Sequence, residues 1–286
     1  MASTYRYRVV DVFTQTPLEG NALAVFPEAG ALDTATMQKI ARELNLAETT
    51  FVSPSTRADC LCRVRIFTPV REMMFAGHPT IGTAWVLVNE GAAPPREGTF
   101  LLEENVGPVP VRVEPDGRIW LTTPPIRSLG VFDADLCAAA IGLQPADLLP
   151  GAAPELLTAG NPTLFIPVRS KQLVDASWLS QEGAQRLRPE SMPDPFCVFV
   201  FTPTEEGAYS RMFAPEYGIA EDPATGSSTG PLAVFLKKHA LVSRDSFVSE
   251  QGTKMGRRSM LYVRMSEGDV LVGGHVAPLA EARMTL

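Results

Sequence analysis

The sequence has little of what metal sites and disulfide frameworks are built from. It contains three histidines, His78, His239 and His275, and four cysteines, Cys60, Cys62, Cys137 and Cys197. There is no His-x-x-x-His pair and no dense acidic cluster, and the Cys-x-Cys spacing matches no zinc motif. We therefore expect no metal site. We expect the thiols to be reduced, as in the cytoplasm, and to act as small apolar packing groups.

Long apolar runs and basic runs are also missing. The longest apolar stretches have roughly five to seven residues, far below the ~20 that span a bilayer. The N-terminal residues enter a strand pattern without an apolar stretch, so a secretory leader is not expected. The net charge is −7 and no basic run occurs, which argues against a nucleic-acid partner. We therefore expect a cytoplasmic protein with neither membrane nor nucleic-acid contacts.

What the sequence does contain is a pair of short runs, AGHP at 76–79 and DPATGS at 222–227. Gly77 of the first and Gly226 of the second are 149 positions apart. Each run follows a strand-like segment that ends in an aromatic-x-Pro triplet, and each precedes a helix-like segment. Proline at the start of a helix suits its fixed φ and missing N–H.

Two further matches indicate an internal repeat. Gly20-Asn21 corresponds to Gly160-Asn161 at an offset of 140, and Arg65-x-Phe-x-Pro corresponds to Arg211-x-Phe-x-Pro at 146. The matched segments occur in the same order in both halves of the sequence. The offset between them grows slowly from 140 to 149, as small loop insertions would produce. A repeat this long predicts two similar domains rather than a solenoid.

The hydrophobic patterns of both halves mix strands with amphipathic helices. Strands are expected at 7–13, 22–26, 49–52, 63–67, 163–168, 197–201, 210–213, 259–264, 270–272 and 277–286. Helices are expected at 34–45 and at 133–141. A third helix is expected to begin at Gly77 and to carry an apolar stripe, and a fourth is expected to end at about His239. The predicted fold class is α+β, with two pseudo-symmetric domains that each wrap a sheet around an apolar helix. Their expected bounds are 1–125 and 126–276, with 277–286 as a strand that can return to the first domain.

A helix N-terminus presents unpaired N–H groups and a partial positive charge. Gly77-His78 and Gly226-Ser227 therefore resemble two anion cradles, which we expect to face each other across a cleft that holds a small anionic substrate. Each glycine taken alone is better explained by a tight strand-to-helix turn, whereas the pair within a repeat favours the two cradles.

Three side chains at these runs, and one elsewhere, could carry chemistry. His78 lies in the first cradle, and Asp222 is either a turn-starting residue or a functional one. Ser227 could cap the helix or donate to a ligand. Glu48 lies between a helix and an apolar strand, where partial burial would raise its pKa and make it a usable acid or base. Composition alone favours an ordinary surface glutamate at Glu48.

Several motifs together resemble the PhzF-like phenazine biosynthesis family over nearly the whole chain. They are Gly20-Asn21, Asn45-Leu-Ala-Glu48-Thr-Thr-Phe, Phe67-Thr-Pro, Phe75-Ala-Gly-His78-Pro, Glu221-Asp222-Pro-Ala-Thr-Gly-Ser227 and Gln251-Gly252. The resemblance implies a diaminopimelate-epimerase-like fold, in which each domain is a mostly antiparallel sheet around a central helix. It also implies an active site between the domains, catalysis without a cofactor, and a homodimer.

The resemblance also implies residue roles. In the family's isomerase member the glutamate that matches Glu48 shuttles a proton on trans-2,3-dihydro-3-hydroxyanthranilate. The positions that match His78, Asp222 and Ser227 orient the substrate and assist proton movement. Backbone donors match Gly77 and Gly226, and Asn21 is placed with the substrate-binding residues.

Two alternatives stay open at this point. Racemases of the same fold use a cysteine pair, but here the corresponding places hold Gly77-His78 and Gly226-Ser227, which disfavours that chemistry. The other alternative is a binding protein that has lost catalysis. A departure from the family pattern, Met73-Met74, could reshape the substrate pocket.

Overall fold

The computed structural model describes residues 3–93, 98–191, 194–266 and 268–286. Met1 and Ala2, which begin the N-terminal stretch considered above, lie outside these ranges. The six α-helices of the described residues are α1 (Thr34–Leu44), α2 (Gly77–Asn89), α3 (Ala134–Ala140), α4 (Lys171–Ala176), α5 (Gln181–Leu187) and α6 (Gly226–Lys238). The strands are β1 (Thr4–Val12), β2 (Asn21–Phe26), β3 (Glu48–Ser53), β4 (Cys62–Phe67), β5 (Glu72–Met73), β6 (Gly98–Glu104), β7 (Gly107–Val113), β8 (Ile119–Thr122), β9 (Arg127–Val131), β10 (Glu155–Thr158), β11 (Thr163–Pro167), β12 (Cys197–Pro203), β13 (Gly207–Ala214), β14 (Ile219–Asp222), β15 (Ser246–Gln251), β16 (Ser259–Ser266), β17 (Asp269–Gly274) and β18 (Val276–Thr285).

The chain divides into two compact units. Unit 1 comprises Met1–Thr122 and Leu271–Leu286, and unit 2 comprises Thr123–Val270. The last stretch joins unit 1 because residues 271–274 of β17 pair with β8 and because β18 pairs with β1 along its length. The sequence analysis placed the corresponding boundaries at 125 and 277.

Unit 1 is a mixed sheet in which antiparallel pairing dominates. Strand β1 pairs antiparallel with β18 and β2, β2 pairs parallel with β3, and β3 pairs antiparallel with β4. Strand β4 then pairs antiparallel with the short β5 and parallel with β6, which continues antiparallel into β7 and β8. Two parallel steps therefore interrupt an otherwise antiparallel arrangement.

Unit 2 repeats this pairing order. Strand β10 pairs antiparallel with β9 and β11, β11 pairs parallel with β12, and β12 pairs antiparallel with β13. Strand β13 pairs antiparallel with the short β14 and parallel with β15, which continues antiparallel into β16. Each of the strands from β1 to β7 thus has a counterpart from β10 to β16 with the same partners and directions.

Each unit contains one 13-residue helix that is buried on nearly every side. Helix α2 packs on six strands of unit 1, and α6 packs on β10, β11 and β16 of unit 2. The sequence predicted a one-sided apolar stripe for α2. In the structure Val86 and Leu87 are buried while Trp85 and Val88 are only half-buried. The predicted apolar surface of α2 was too narrow, because a helix that is covered by strands on several sides needs no polar face.

The amphipathic helix α1 covers the outer face of the sheet in unit 1. Its Asp33 cap accepts a hydrogen bond from the backbone of Thr36, and Asn45 ends it in the left-handed conformation, so the helix has the bounds that the sequence predicted. Met37 and Ile40 of this helix pack in one cluster with Phe26, Phe51 and Phe67. This cluster fixes β2, β3 and β4, the strands that deliver side chains to the start of α2.

The Arg-x-Phe repeat is also visible in three dimensions. The Arg65 guanidinium lies 5.1 Å from the centre of the Phe67 ring, and that of Arg211 lies 4.8 Å from the centre of the Phe213 ring. Both stacks are cation–π contacts on equivalent strands, β4 and β13. The sequence repeat therefore corresponds to a structural one.

Candidate functional site

The start of α2 in unit 1 is a buried turn without a side-chain cap. Ala76 is extended and makes no cap hydrogen bond, and the first N–H groups of a helix have no partner within the helix itself. Gly77, His78 and Pro79 are all buried. Such a helix start favours a carboxylate or a developing negative charge. We call the Gly77-His78 turn the anion cradle of unit 1.

Three side chains meet at this cradle. The Asn21 amide nitrogen lies 3.2 Å from His78 Nδ1, and His78 Nε2 lies 3.3 Å from Glu48 Oε2. Asn21 starts β2 and Glu48 starts β3, and the parallel pairing of these strands places Leu23 opposite Glu48. The Asn21, His78 and Glu48 residues are 1%, 3% and 8% exposed. The sheet register thus brings together three residues that are far apart in sequence.

The contact with Asn21 decides which ring nitrogen of His78 carries the proton. An amide nitrogen only donates, so it requires His78 Nδ1 to be an acceptor. The ring proton is then on Nε2, the ring nitrogen that is nearer the Glu48 carboxyl group. Burial lowers the pKa of the His78 imidazole to about 3, which keeps the ring neutral near pH 7. His78 is therefore a neutral neighbour of Glu48, in contact with its carboxyl group but without hydrogen-bond geometry.

The start of α6 in unit 2 is supported differently. Thr225 occupies the cap position, and its hydroxyl donates to Asp222 Oδ2 at 2.5 Å. Gln251 accepts from the Thr225 backbone N–H at 3.1 Å and donates to the Asp222 carbonyl at 2.7 Å. Asp222 is 5% exposed and Gln251 is fully buried. We call the Gly226-Ser227 turn that follows the anion cradle of unit 2.

The second residue of α6 has an asparagine neighbour, as does the second residue of α2. The Asn161 amide nitrogen lies 3.4 Å from Ser227 Oγ. Asn161 precedes β11 as Asn21 begins β2, so the Gly-Asn repeat supplies the same support to both helices. The supported groups differ, since one is an imidazole and the other a hydroxyl.

The predicted site residues fall into two groups. Unit 1 brings together Asn21, Glu48, Gly77 and His78, and unit 2 places Asp222, Gly226 and Ser227 at the start of α6. Sequence reasoning did not assign Asn161, Thr225 or Gln251 to the site. The Gly-Asn repeat already pointed to Asn161, and the Gln251-Gly252 motif pointed to Gln251. Thr225 carried no signal beyond its place in the second run.

The two methionines before the first run differ in their surroundings. Met73 lies in β5 and pairs with Ile66, while Met74 is 56% exposed. Met74 is thus the one of the two that is open to a ligand or to solvent.

Two absences hold within the described ranges. No group of three or more His, Cys, Asp or Glu side chains lies close enough together there to hold a metal ion. No helix in the same ranges combines the length and the apolar character needed to cross a membrane.

Known proteins resemble this chain along its whole length. The family model described as "Phenazine biosynthesis-like protein" (PhzC-PhzF) matches residues 10–282. The chain is 37% identical over 300 residues to a trans-2,3-dihydro-3-hydroxyanthranilate isomerase of Pseudomonas aeruginosa, with 99% of this chain and 100% of that protein covered.

Solved structures give the same result. A PhzF-family phenazine biosynthesis protein of Bacillus anthracis superposes with a TM-score of 0.88 at 23% identity, over 99% of this chain and 100% of that chain. A predicted epimerase from Pseudomonas aeruginosa superposes with a TM-score of 0.83 at 34% identity, over 98% of this chain and 99% of that chain.

These findings confirm the expected fold class, diaminopimelate-epimerase-like α+β, and the expected enzyme class. The repeated strand order, the helix-start runs and the whole-chain matches agree with one another. The chain therefore belongs to the phenazine biosynthesis-like PhzC-PhzF family of isomerases.

Proposed function

We propose that this enzyme moves a proton between two carbon atoms of a small cyclic carboxylic acid without a cofactor. Glu48 removes the proton from one carbon as a carboxylate and returns it to another as the acid, so that substrate and product have the same composition. His78 and Asp222 assist this step, and Asn21 holds His78 in the required tautomer. Homologues named as trans-2,3-dihydro-3-hydroxyanthranilate isomerases make that compound the first substrate to test.

The observation that carries this proposal is the buried contact between His78 and Glu48 at the start of α2. The His78 imidazole is neutral and its Nε2 lies 3.3 Å from Glu48 Oε2, so it packs against the carboxyl group and adds no competing positive charge. A carboxyl base that is buried between fixed neighbours fits proton abstraction from carbon, which needs a fixed geometry.

The two anion cradles take the remaining roles in the proposal. In unit 1 the backbone N–H groups at Gly77, and in unit 2 those at Gly226 with the Ser227 hydroxyl, are each suited to bind a carboxylate or to stabilise the charge that develops as the proton leaves. Removing one such donor in other enzymes costs about 10²–10³ in rate, so this support matters as much as the base.

The test combines isotope exchange with a conservative variant. In deuterated buffer the wild-type enzyme should place deuterium on the receiving carbon, provided that the Glu48 proton exchanges with solvent during the reaction. Glu48→Gln removes the base while keeping size and shape, and we expect turnover to fall by about 10²–10⁴-fold. Product is measured by NMR, which also locates the label.

Glu43→Gln is the matched control, because Glu43 is an exposed glutamate of the nearby α1. It should leave turnover unchanged. Full turnover in Glu48→Gln would contradict the proposal. If wild type and Glu48→Gln bind the acid equally and neither converts it, the chain is a binding protein rather than an enzyme.

The fold is shared with racemases that use two thiols, but the cysteines here do not support that chemistry. Burial raises the pKa of the Cys62 and Cys137 thiols to about 12, so neither is a thiolate near pH 7. Both lie outside the cradles, and Cys137 packs in a core cluster of unit 2. Activity that survives thiol alkylation in the folded enzyme would agree with a carboxyl base.

We also propose that the enzyme is cytoplasmic, as its cysteine usage suggests, and that it is a homodimer, as the family resemblance implies. The four cysteines are free thiols, which suits a reducing compartment. Light scattering of the purified protein tests the assembly, since a monomer corresponds to 30.9 kDa.

A further inference from the structure

A second buried carboxyl group lies beside the anion cradle of unit 1. Glu104 ends β6 and is 2% exposed, and its Oε1 lies 2.6 Å from the hydroxyl oxygen of Thr80 on α2. Its Oε2 is buried and has no hydrogen-bond partner among the described residues. The role proposed for Glu48 does not involve this group, and nothing in the sequence motifs singled it out.

The Thr80 hydroxyl reveals the protonation state of Glu104. Thr80 Oγ1 also lies 2.7 Å from the carbonyl oxygen of Ala76, the residue before the cradle. A hydroxyl has one proton and cannot donate to two acceptors. Both contacts are satisfied if Glu104 is a carboxylic acid that donates to Thr80, and Thr80 donates to Ala76. This chain of two hydrogen bonds links Glu104 to the backbone of the cradle.

The repeat gives independent support. In the parallel pairs, Arg63 of β4 stands opposite Glu103, and Tyr209 of β13 stands opposite Glu250. Arg63 and Tyr209 each precede the repeated arginine by two residues, so Glu103 and Glu250 are equivalent positions. The next residues, Glu104 and Gln251, are then equivalent as well.

Gln251 shows what this position does in unit 2. It is fully buried, and its neutral amide donates to Thr225 Oγ1 at 3.0 Å, just before the cradle. A protonated carboxyl group has nearly the same shape and, like the amide, provides a donor and an acceptor. The repeat therefore places a neutral group of this kind beneath both cradles.

The surroundings of Glu104 favour the neutral form. Burial raises the pKa of its carboxyl group to about 8, and the Thr80 contact offsets this only in part. Of the titratable groups on adjoining elements, Cys62 on β4 is a buried thiol and His78 on α2 is neutral. Glu72 on β5 is paired with Arg65. The positive end of α2 acts in the opposite direction, but its effect is smaller than that of burial.

We propose that Glu104 is a positioning residue that supports the anion cradle of unit 1 as a neutral carboxylic acid, as the Gln251 amide supports the cradle of unit 2. When Glu104 loses its proton, a negative charge appears two hydrogen bonds from the cradle backbone. That charge repels an anionic substrate and leaves Thr80 with two acceptors.

The first test needs no activity and no folded variant of Glu104. Wild-type protein labelled with ¹³C at the glutamate carboxyl carbons is titrated by NMR, alongside Glu48→Gln to remove the proposed base. We expect one carboxyl resonance that titrates near pH 8 in both proteins. If all glutamate carboxyl groups of the Glu48→Gln protein titrate below neutral pH, the inference is overturned, whether or not the enzyme is an isomerase.

The second test compares the stability of Glu104→Gln with that of wild type. The pKa of Glu104 is higher in the folded than in the unfolded chain, so wild-type stability falls as pH rises from about 4.5 to about 8. Glu104→Gln lacks this fall, and its urea midpoint should rise relative to wild type across that window. Glu103→Gln is the control, because hydrogen bonds from Ser55 and Thr56 lower the pKa of Glu103 to about 2. Identical pH dependence in Glu104→Gln and wild type would contradict the inference.

The third test rests on the proposed function. The kcat/KM of wild type should fall on the order of tenfold as pH rises past 8, and Glu104→Gln should remove that fall. Gln251→Glu should introduce a new fall in kcat/KM at alkaline pH, because it places an ionisable carboxyl group beside the anion cradle of unit 2. An alkaline fall of the same size in Glu104→Gln would exclude Glu104 as its cause.

Discussion

Arg211 and Glu221 are joined by two parallel hydrogen bonds, 2.8 Å from Nε to Oε1 and 2.7 Å from Nη2 to Oε2. Arg65 and Glu72 form the same pair in unit 1, at 2.8 and 2.6 Å. Each pair ties a long strand to the short strand just before a helix-start run. The bidentate geometry is the strong form of an ion pair. Both units therefore keep a strong ion pair between the two strands that lead to the anion cradle.

The two pairs should differ in their contribution to stability. Arg211 also donates to the carbonyl oxygens of Asp175 and Ser177, and its side chain is 11% exposed against 18% for Arg65. Arg211→Met leaves the half-buried Glu221 carboxylate and those carbonyls unpaired, and we expect a loss of about 3 kcal/mol in the free energy of unfolding. Urea unfolding measures it.

Arg65→Met is the matched variant for this measurement. Glu72, the partner of Arg65, is more exposed than Glu221, so water can replace the lost hydrogen bonds. We therefore expect a loss of about 1–2 kcal/mol in the free energy of unfolding. Equal losses in the two variants would show that burial does not decide the strength of these pairs.

The tautomer of His78 should control turnover. Asn21→Asp replaces the amide donor with an acceptor, which draws the ring proton to Nδ1 and leaves Nε2 facing Glu48 as a second acceptor. We expect kcat/KM to fall by at least about 10²-fold, as when a catalytic imidazole adopts the wrong tautomer. ¹⁵N NMR of the ring reads the tautomer directly.

Asn161→Asp is the control on the equivalent position of unit 2. A serine hydroxyl both donates and accepts, so Ser227 can adapt to either neighbour, and the change should cost much less activity. A wild-type tautomer in Asn21→Asp would disprove the role given to Asn21.

His78 should also make the enzyme sensitive to acid. Its pKa is lowered to about 3 in the folded chain by burial, against an ordinary histidine pKa of 6.5. Between these values the unfolded chain binds a proton that the folded chain does not, so stability falls as pH decreases from about 6.5 to about 3. His78→Gln should flatten this part of the stability profile, as followed by urea unfolding at a series of pH values. An unchanged slope would mean that His78 accepts a proton while folded.

Gln251 should be essential to the fold of the second cradle. It makes three hydrogen bonds with Thr225 and Asp222 while fully buried. Gln251→Met keeps the volume but leaves a buried N–H and a buried carbonyl without their partner, at about 1–3 kcal/mol for each group. Calorimetry should therefore show a lower Tm. Loss of kcat/KM without loss of stability would instead point to direct contact with the substrate.

The sequence predicted the local features well and the long-range ones poorly. Asp33 and Asn45 predicted both ends of α1, and the repeated motifs predicted the two helix starts and the family. Each of these features depends on a few residues that are neighbours in the sequence. The burial of α2 on nearly every side, the short helices α4 and α5, and the two parallel strand pairs of each unit were not predicted, because they depend on contacts between distant segments.

The site divides along the same line. Glu48 and His78 were identified by their motifs, but the contact between them follows from the register of β2 and β3. Glu104 could not be identified from the sequence, because its proposed role follows from its equivalence to Gln251 in the repeat. Only the parallel pairing of β4 with β6 and of β13 with β15 reveals that equivalence.

The pairing of β1 with β18 has a consequence for how the chain folds during synthesis. Thr4 stands opposite Thr285, so β1 is synthesised long before β18, the strand with which it pairs. Unit 2 is a continuous segment and can close its sheet while unit 1 still lacks an edge. The second half of this protein is therefore free to mature before the first, and the opening strand is the part that most needs protection from aggregation in the interval.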